Sequence, residues 1–154
     1  MKRYDVLYIG NYTKDTIISP AGTKIVDGGA VNYAASAAAR LGKKVAVVTR
    51  LAKEDEHVVE KLRGSGIDCY VIYTPTSTLL KLEYPTADPD IRTLSVMSVA
   101  GSITATDVEN LDAQAAVIGS SLRGEVGIDV IRLLKQKNKR VAADMQGFVD
   151  RNLA

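Results

Sequence analysis

The residues best suited to holding a ligand are two consecutive glycines, Gly28 and Gly29, which precede a run of small residues. The run is rich in alanine and ends at Leu41-Gly42, and a glycine in that place is typical of a helix C-terminus. Because glycine has no Cβ, the backbone of the pair can approach a ligand closely. The N–H groups of the first helical turn could then bind polar or anionic atoms. A tight turn before a closely packed helix would need the same residues, so both interpretations stay open.

Polar side chains follow two of the predicted strands. Asp15 lies five residues after Gly10, where the first predicted strand ends, and Asn11 lies between them; Asp144 and Gln146 follow the last predicted strand. Ligands of open parallel α/β sheets bind outside the carboxyl ends of the strands. A carboxylate can accept hydrogen bonds from two neighbouring hydroxyls. All four residues are therefore candidate ligand contacts. The alternatives are a solvated turn for Asp15 and structural capping for Asp144 and Gln146.

Predicted strands and helices alternate along the chain. The strands lie near 6–10, 45–50, 68–73, 116–119 and 141–144. All but the third are continuous apolar runs, which is typical of parallel strands buried on both faces. The helices lie near 30–41, 54–64, 106–110 and 125–137. Strands that alternate with helices predict βαβ units. Two further segments, about 14–27 and 78–96, contain no helix long enough for a parallel crossover, so we expect a small antiparallel sheet beside the main one.

The composition excludes several classes of protein. A chain of 154 residues fits one domain with its own core. Its net charge is +2 and its basic residues are scattered, whereas nucleic-acid binding needs a clustered basic face. No apolar stretch reaches the length of a membrane span. The single cysteine, Cys69, excludes an internal disulfide and suits a reducing cytoplasm, where we expect the protein. We interpret Cys69 as a core residue and His57 as a surface residue, and we see no metal-ligand cluster.

The order of these features along the whole chain carries a resemblance. A strand before Asp15 is followed by the glycine pair and its helix, another strand, an acidic loop at 54–56, a helix, and Gly-Ile-Asp at 66–68. This order resembles the N-terminal half of the ribokinase-like (PfkB) carbohydrate kinases. Residues 144–148 also resemble the Asp-x-Gln-Gly-Phe segment of one branch of that family.

The resemblance implies a fold and a substrate site. The fold would be ribokinase-like α/β, with a Rossmann-like parallel sheet flanked by helices, and the segments 14–27 and 78–96 would form an antiparallel lid over the sugar. Asp15 would bind substrate hydroxyls, and Gly28 and Gly29 would turn backbone amides toward the substrate. The family usually has an Asn four positions after the second glycine. In this chain that position is Tyr33, and Asn32 precedes it.

Two explanations of this departure are open. Either Tyr33 replaces the Asn contact, or Asn32 reaches the substrate from a shifted turn; Tyr33 could equally be a core residue. A Tyr at this position resembles an archaeal and plant branch that includes inositol and nucleoside kinases. Its flat ring with one hydroxyl would suit a ring-shaped substrate.

The resemblance also implies a mechanism that this chain cannot complete by itself. Kinases of the family transfer the γ-phosphoryl group of ATP, with Mg²⁺, to a substrate hydroxyl. Their general base is the Asp of a Gly-Ala-Gly-Asp loop in the C-terminal half. The chain contains neither that sequence nor a P-loop. We therefore expect residues 1–154 to be the sugar-binding part of a sugar, cyclitol or nucleoside kinase. The nucleotide-binding half and the catalytic base would be absent, and the chain alone would be inactive.

Partners and an alternative function complete the expectations. The expected partner is a small sugar-like molecule, with no nucleic acid and no membrane. Self-association, for example as a homodimer, is expected where apolar strands stay uncovered. The alternative function is a non-catalytic α/β module that binds a small molecule or another protein. The identity of the substrate and of the phosphate donor is left open.

Overall fold

A computed structural model describes residues 2–137 and 139–149. Nine strands and five α-helices alternate along the described chain, with a 3₁₀ turn at Lys53–Asp55 before the second helix. The strands are β1 (Arg3–Ile9), β2 (Thr13–Ser19), β3 (Gly22–Gly28), β4 (Val45–Ala52), β5 (Asp68–Thr74), β6 (Thr78–Glu83), β7 (Thr93–Ser98), β8 (Asp112–Ile118) and β9 (Arg140–Ala143). The helices are α1 (Ala30–Arg40), α2 (His57–Gly64), α3 (Ala105–Val108), α4 (Ile128–Gln136) and α5 (Gln146–Val149).

The main sheet has five strands in the order β5-β4-β1-β8-β9, and every pairing in it is parallel. The five predicted strands are all present in it, which confirms the α/β fold class. Residues along a strand point alternately to the two faces of the sheet. Val45 and Val47 pack with α1 and α2 on one face, whereas Ala46 and Val48 pack with α3 and α4 on the other. Burial on both faces explains why β4 is a continuous apolar run in the sequence.

The second sheet is mixed rather than purely antiparallel. Its order is β3-β2-β6-β7, in which β2–β3 and β6–β7 are antiparallel hairpins and the central pair β2–β6 is parallel. The central pairing follows from the main sheet. β1 and β5 end at the same edge, and only residues 10–12 and 75–77 separate them from β2 and β6. Both strands therefore leave the main sheet in the same direction, and the two predicted hairpin segments meet in one sheet.

The last long helix begins later than the sequence predicted. We expected it from residue 125, but α4 starts at Ile128. Val126 instead forms an isolated parallel bridge with Ile103, in which Ile103 N–H donates to Glu125 O at 2.8 Å and Gly127 N–H donates to Ile103 O at 2.9 Å. This pairing spans a long stretch of chain, so the helical spacing of the sequence could not reveal it.

Burial tests two further sequence-based interpretations, that Cys69 is a core residue and that the last predicted strand is buried on both faces. Cys69 is partly buried on β5 and packs against core residues, as expected, and burial raises the pKa of its thiol to about 11. β9 lies at an edge of the main sheet, and of its four residues only Val141 is partly buried. Within the residues that the structure describes, no helix is long and apolar enough to cross a membrane.

Candidate functional site

Asp15 presents a half-buried carboxylate on one strand of the first hairpin. It lies on β2 opposite Val26 of β3, and a Cβ added to Gly28 would be 2.4 Å from its Oδ2 atom. The Oδ1 atom is buried and, within the described part of the chain, has no hydrogen-bond partner. Burial raises the pKa of Asp15 above its usual value, because removal from water disfavours the charged form. A buried acceptor without a partner is a group that a ligand hydroxyl can satisfy.

The two glycines are required by the space around them. A Cβ at Gly28 would also lie 2.5 Å from the Thr13 hydroxyl oxygen. Gly29 has a φ of 95°, and a Cβ there would lie 2.7 Å from the backbone oxygen of Asn11. A side chain at Gly28 would therefore displace Asp15, and one at Gly29 would push the turn away from the end of β1. The glycine pair thus lets α1 begin directly beside Asp15 and Asn11.

Asn11 lies beneath this turn, and its polar groups are already used. It is fully buried. Its Nδ2 donates to Gly101 O at 2.8 Å, its Oδ1 accepts from Arg50 N–H at 3.2 Å, and its backbone N–H donates to Glu125 Oε1 at 2.5 Å. Asn11 therefore holds the floor of the site together, and its side chain is enclosed by the protein.

Asn32 and Tyr33 lie on one open cavity. Tyr33 is 59% exposed, so the interpretation of this residue as part of the core is wrong. Its hydroxyl donates to the backbone oxygen of Asp27 at 3.0 Å, which holds the ring beside the glycine turn. The largely buried Asn32 lines the same cavity of about 580 Å³, together with Arg40 and Lys61. Both explanations for the departure from the usual Asn therefore remain geometrically open.

The surroundings of Asp144 fit both roles considered for it, ligand contact and structural capping. Its Oδ1 accepts from the backbone N–H of Gln146 at 3.0 Å, which is a capping contact at the start of α5. Asp144 also lines a second, mainly apolar cavity of about 450 Å³ with Tyr33 and Gly119. Gln146 is exposed, and its Nε2 donates to the backbone oxygen of Ser121 at 3.3 Å. Tyr33 and Ala37 line both cavities, whereas Asp15, Gly28 and Gly29 line neither of them.

The sequence analysis missed the carboxylate of Asp27, directly before the glycine pair. Tyr12 donates its hydroxyl to Asp27 Oδ1 at 2.7 Å, and His57 Nε2 lies 3.1 and 3.2 Å from the two carboxylate oxygens. Burial, and next the hydrogen bond with Asp27, raises the pKa of Tyr12. His57 is exposed, as predicted, yet it joins α2 to the end of β3. Only the position of Asp27 next to Gly28 could have pointed to this contact.

The ion pairs near the ends of β4 and β5 join residues distant in the sequence. Arg50 pairs with Asp107 rather than with the acidic loop after β4, and its Nη2 lies 2.9 Å from Asp107 Oδ2. Asp55 in that loop instead pairs with Lys14 at 2.8 Å and accepts a hydrogen bond from Ser77 at 2.5 Å. Burial alone would raise the pKa of Asp55, but the two hydrogen bonds outweigh it and lower the pKa. Across residues 2–137 and 139–149, no group of three His, Cys, Asp or Glu side chains could hold a metal ion.

The sequence comparisons and the structure comparison with known proteins gave different results. No protein-family model and no curated protein matches the chain. Solved structures do match it. A sulfate complex of a pyrophosphate-dependent kinase in the ribokinase family has a TM-score of 0.85 and 30% identity, over 94% of this chain and 51% of its own. The chain has the ribokinase-like fold, and its structural neighbours are kinases of the ribokinase family.

Two further ribokinase-family structures extend the comparison. A pyrophosphate-dependent kinase of the family, complexed with a pyrophosphate analog and myo-inositol, has a TM-score of 0.82 and 28% identity, over 94% of this chain and 50% of its own. Arabidopsis thaliana ribokinase, complexed with ribose and ATP, has a TM-score of 0.67 and 14% identity over 95% and 55%, and it shares the fold alone. The chain spans about half the length of each of these structures.

Proposed function

We propose that this chain is the substrate-binding part of a ribokinase-family kinase and that it binds a polyol, either a sugar or a cyclitol. The observation that carries the proposal is the buried Oδ1 of Asp15, which no described residue satisfies. Two adjacent hydroxyls of a polyol can donate to one carboxylate, and such hydrogen bonds are among the stronger ones in proteins. Gly28 packs directly against this carboxylate, because a Cβ there would lie 2.4 Å from Asp15 Oδ2, and so brings the start of α1 close to it.

Cyclitols are the first substrates to test. The solved relative at 28% identity was complexed with myo-inositol. In this chain the exposed ring of Tyr33 lies where the family usually has an Asn, and an aromatic face suits the C–H side of a ring-shaped polyol. Asp144 lines the same apolar cavity as Tyr33 and offers a second carboxylate. We therefore propose Asp15, Tyr33 and Asp144 as polyol contacts, with Gly28 and Gly29 supplying backbone amides and Asn32 and Gln146 at the rim.

The reaction we propose is phosphoryl transfer to one polyol hydroxyl. Phosphoryl transfer needs a positioned donor, metal and base. The chain contains no Gly-Ala-Gly-Asp sequence, so we expect the base to come from the part of the relatives that this chain does not match. Two donors deserve a test with Mg²⁺. One is ATP, which was present in the ribose complex, and the other is pyrophosphate, on which the relatives at 28–30% identity depend.

Binding of polyols to the purified chain tests the proposal. Titration with myo-inositol, ribose and fructose, followed by NMR chemical shifts, should show at least one polyol perturbing the amides of Asp15 and Gly28. Asp15→Asn should weaken this binding about tenfold, because it replaces a charged acceptor by a neutral amide. Asp90→Asn, at an exposed loop residue, is the matched control and should bind as the wild type does.

Two results would count against the proposal. If no polyol perturbs these amides at millimolar concentration, the substrate class is wrong. If Asp15→Asn and Asp90→Asn bind equally well, Asp15 is not the contact. With Mg²⁺ and either donor, the chain alone should show no turnover above a mock-purified control. Measured turnover would place a complete catalytic site within this chain.

A further inference from the structure

Glu125 is a buried carboxylate that the proposed polyol site does not use. Its side chain is 2% exposed, and both oxygens accept hydrogen bonds from backbone N–H groups. Oε1 accepts from Asn11 at 2.5 Å, and Oε2 accepts from Ser121 at 3.0 Å and Leu122 at 3.2 Å. We call these four residues the Glu125 cluster. A buried carboxylate is tolerated only when its oxygens are well hydrogen-bonded, and here the backbone supplies the donors.

The Glu125 cluster joins segments that are far apart in the sequence. Asn11 follows β1, and Ser121 and Leu122 follow β8, its neighbour in the main sheet. The Asn11 carboxamide extends the connection to Arg50 N–H on β4 and to Gly101 O beyond β7. The Glu125 carboxylate and the Asn11 carboxamide therefore connect β4, β1 and β8, which are adjacent in the main sheet, with the segment that follows β7 of the small sheet.

The cluster also reaches the polyol site through the backbone of Asn11. A Cβ on Gly29 would lie 2.7 Å from Asn11 O and 3.2 Å from Thr13 N, so the glycine turn rests directly on this segment. Asp15 follows four residues after Asn11 on the same stretch of chain. A shift of the Asn11 backbone would move both walls of the site, the glycine turn and the strand that carries Asp15.

We propose that Glu125 is a positioning residue for the polyol site, and that its ionised carboxylate holds Asn11 in the conformation that binds the polyol. This inference rests on the proposed function. The three N–H donors occupy three of the lone pairs of the carboxylate, and one lone pair of Oε1 is left to take a proton. Protonation there removes the negative charge, weakens the three hydrogen bonds and so loosens the connection between the end of β1 and the loop after β8.

The surroundings of Glu125 make this protonation relevant near neutral pH. Burial raises the pKa of Glu125 to about 7, against the opposing effect of the three N–H donors. Arg50 on β4 and Asp107 on α3 pair with each other rather than with Glu125. Arg123, on the loop after β8, is exposed. The other buried acid of the site, Asp15, also has a raised pKa, so a pH profile needs a variant that separates the two groups.

The first experiment measures myo-inositol affinity from pH 5.5 to 8.5 in the wild type, Glu125→Gln and Glu60→Gln. Glu60 is exposed on α2 and serves as the matched control. Wild type and Glu60→Gln should bind about tenfold more weakly at pH 5.5 than at pH 8.5, since protonation removes the charge that strengthens the hydrogen bonds to Asn11, Ser121 and Leu122. Glu125→Gln should bind weakly throughout and respond less to pH. Identical profiles for Glu125→Gln and the wild type would overturn the inference.

A second experiment needs neither a variant nor a ligand. The carboxyl carbon of Glu125 and the amides of Asn11, Gly29 and Asp15 are followed by NMR of the wild-type chain over the same pH range. All four signals should shift with one midpoint near neutrality. If Gly29 and Asp15 do not follow Glu125, the inference fails, even when polyol binding is normal. If they do follow it but no polyol binds at any pH, the coupling stands and the proposed function fails.

Discussion

Substitution of Gly29 by alanine tests whether the close approach of the glycine turn to β1 is essential. The added Cβ would meet three backbone atoms: Asn11 O at 2.7 Å, Thr13 N at 3.2 Å and Tyr12 Cα at 3.3 Å. Backbone atoms cannot rotate away as the end of a side chain can. The strain must therefore be relieved by moving α1 away from the end of β1, or by moving the segment 11–13 itself.

The expected loss of stability has two parts. A φ of 95° costs alanine about 1–2 kcal/mol more than glycine. The steric overlap adds about 1–3 kcal/mol, the usual cost of overpacking a filled site. Gly101 separates the two parts, because its φ is 94° and a Cβ there would meet nothing within 4 Å. Gly101→Ala should lose only the conformational part, so Gly29→Ala should be less stable than Gly101→Ala by about 1–3 kcal/mol.

Urea unfolding followed by circular dichroism measures both variants against the wild type. Equal midpoints and slopes for Gly29→Ala and Gly101→Ala would refute the reasoning, because the overlap with Asn11 would then have no cost. If Gly29→Ala does not fold at all while Gly101→Ala does, the overlap has a larger cost than estimated. Myo-inositol titration of the folded Gly101→Ala variant checks that a φ-matched substitution leaves the Asp15 site intact.

Three further predictions follow from individual contacts. Gly28→Ala should lose polyol binding, measured by NMR titration, with little loss of stability, because its Cβ meets only the movable ends of Asp15 and Thr13; a large drop in the urea midpoint would contradict this. The folded pKa of Glu125, about 7, exceeds the reference value of 4.5, so its contribution to stability is complete below pH 4.5 and is lost as pH rises through 7. Between pH 4 and 8 the free energy of unfolding of the wild type should fall by about 3 kcal/mol relative to Glu125→Gln, and a difference that does not change with pH would disprove it. Cys69, with a pKa of about 11, should react with iodoacetamide at pH 8 about a hundredfold more slowly than in the urea-unfolded chain, since the thiolate is the reactive form; equal rates would show that the thiol is not buried.

The sequence was sufficient for the main sheet because its signal is local. The strands β1, β4 and β8 at the centre of the sheet are short runs whose composition reports burial on both faces, and the helices between the strands report the crossovers. The two hairpin segments were also recognisable from the missing helices. Their parallel pairing through β2 and β6 was not, because it depends on the direction in which β1 and β5 deliver the chain.

The site was less predictable because its contacts depend on residues distant in the sequence. Asp15 and the glycine pair could be selected from type and position alone. The partners of Arg50 and Asn11 could not, since Asp107, Gly101 and Glu125 reach them only through the fold. The exposure of Tyr33 could not be predicted either. Its place on α1 is clear from the spacing, but whether the ring is in the core or exposed depends on what covers that face of the helix.

The two buried acids of the site have a common physical feature with different consequences. Burial raises the pKa of both Asp15 and Glu125, so the ionised form of each is less favourable in the folded chain than in water. Glu125 offsets part of this cost with three backbone hydrogen bonds, whereas one oxygen of Asp15 has no described partner. A polyol hydroxyl donating to that oxygen would favour the charged form of Asp15. Under the proposed function, a ligand that brings a hydrogen-bond donor to Asp15 would therefore gain binding free energy that a ligand without such a donor would not.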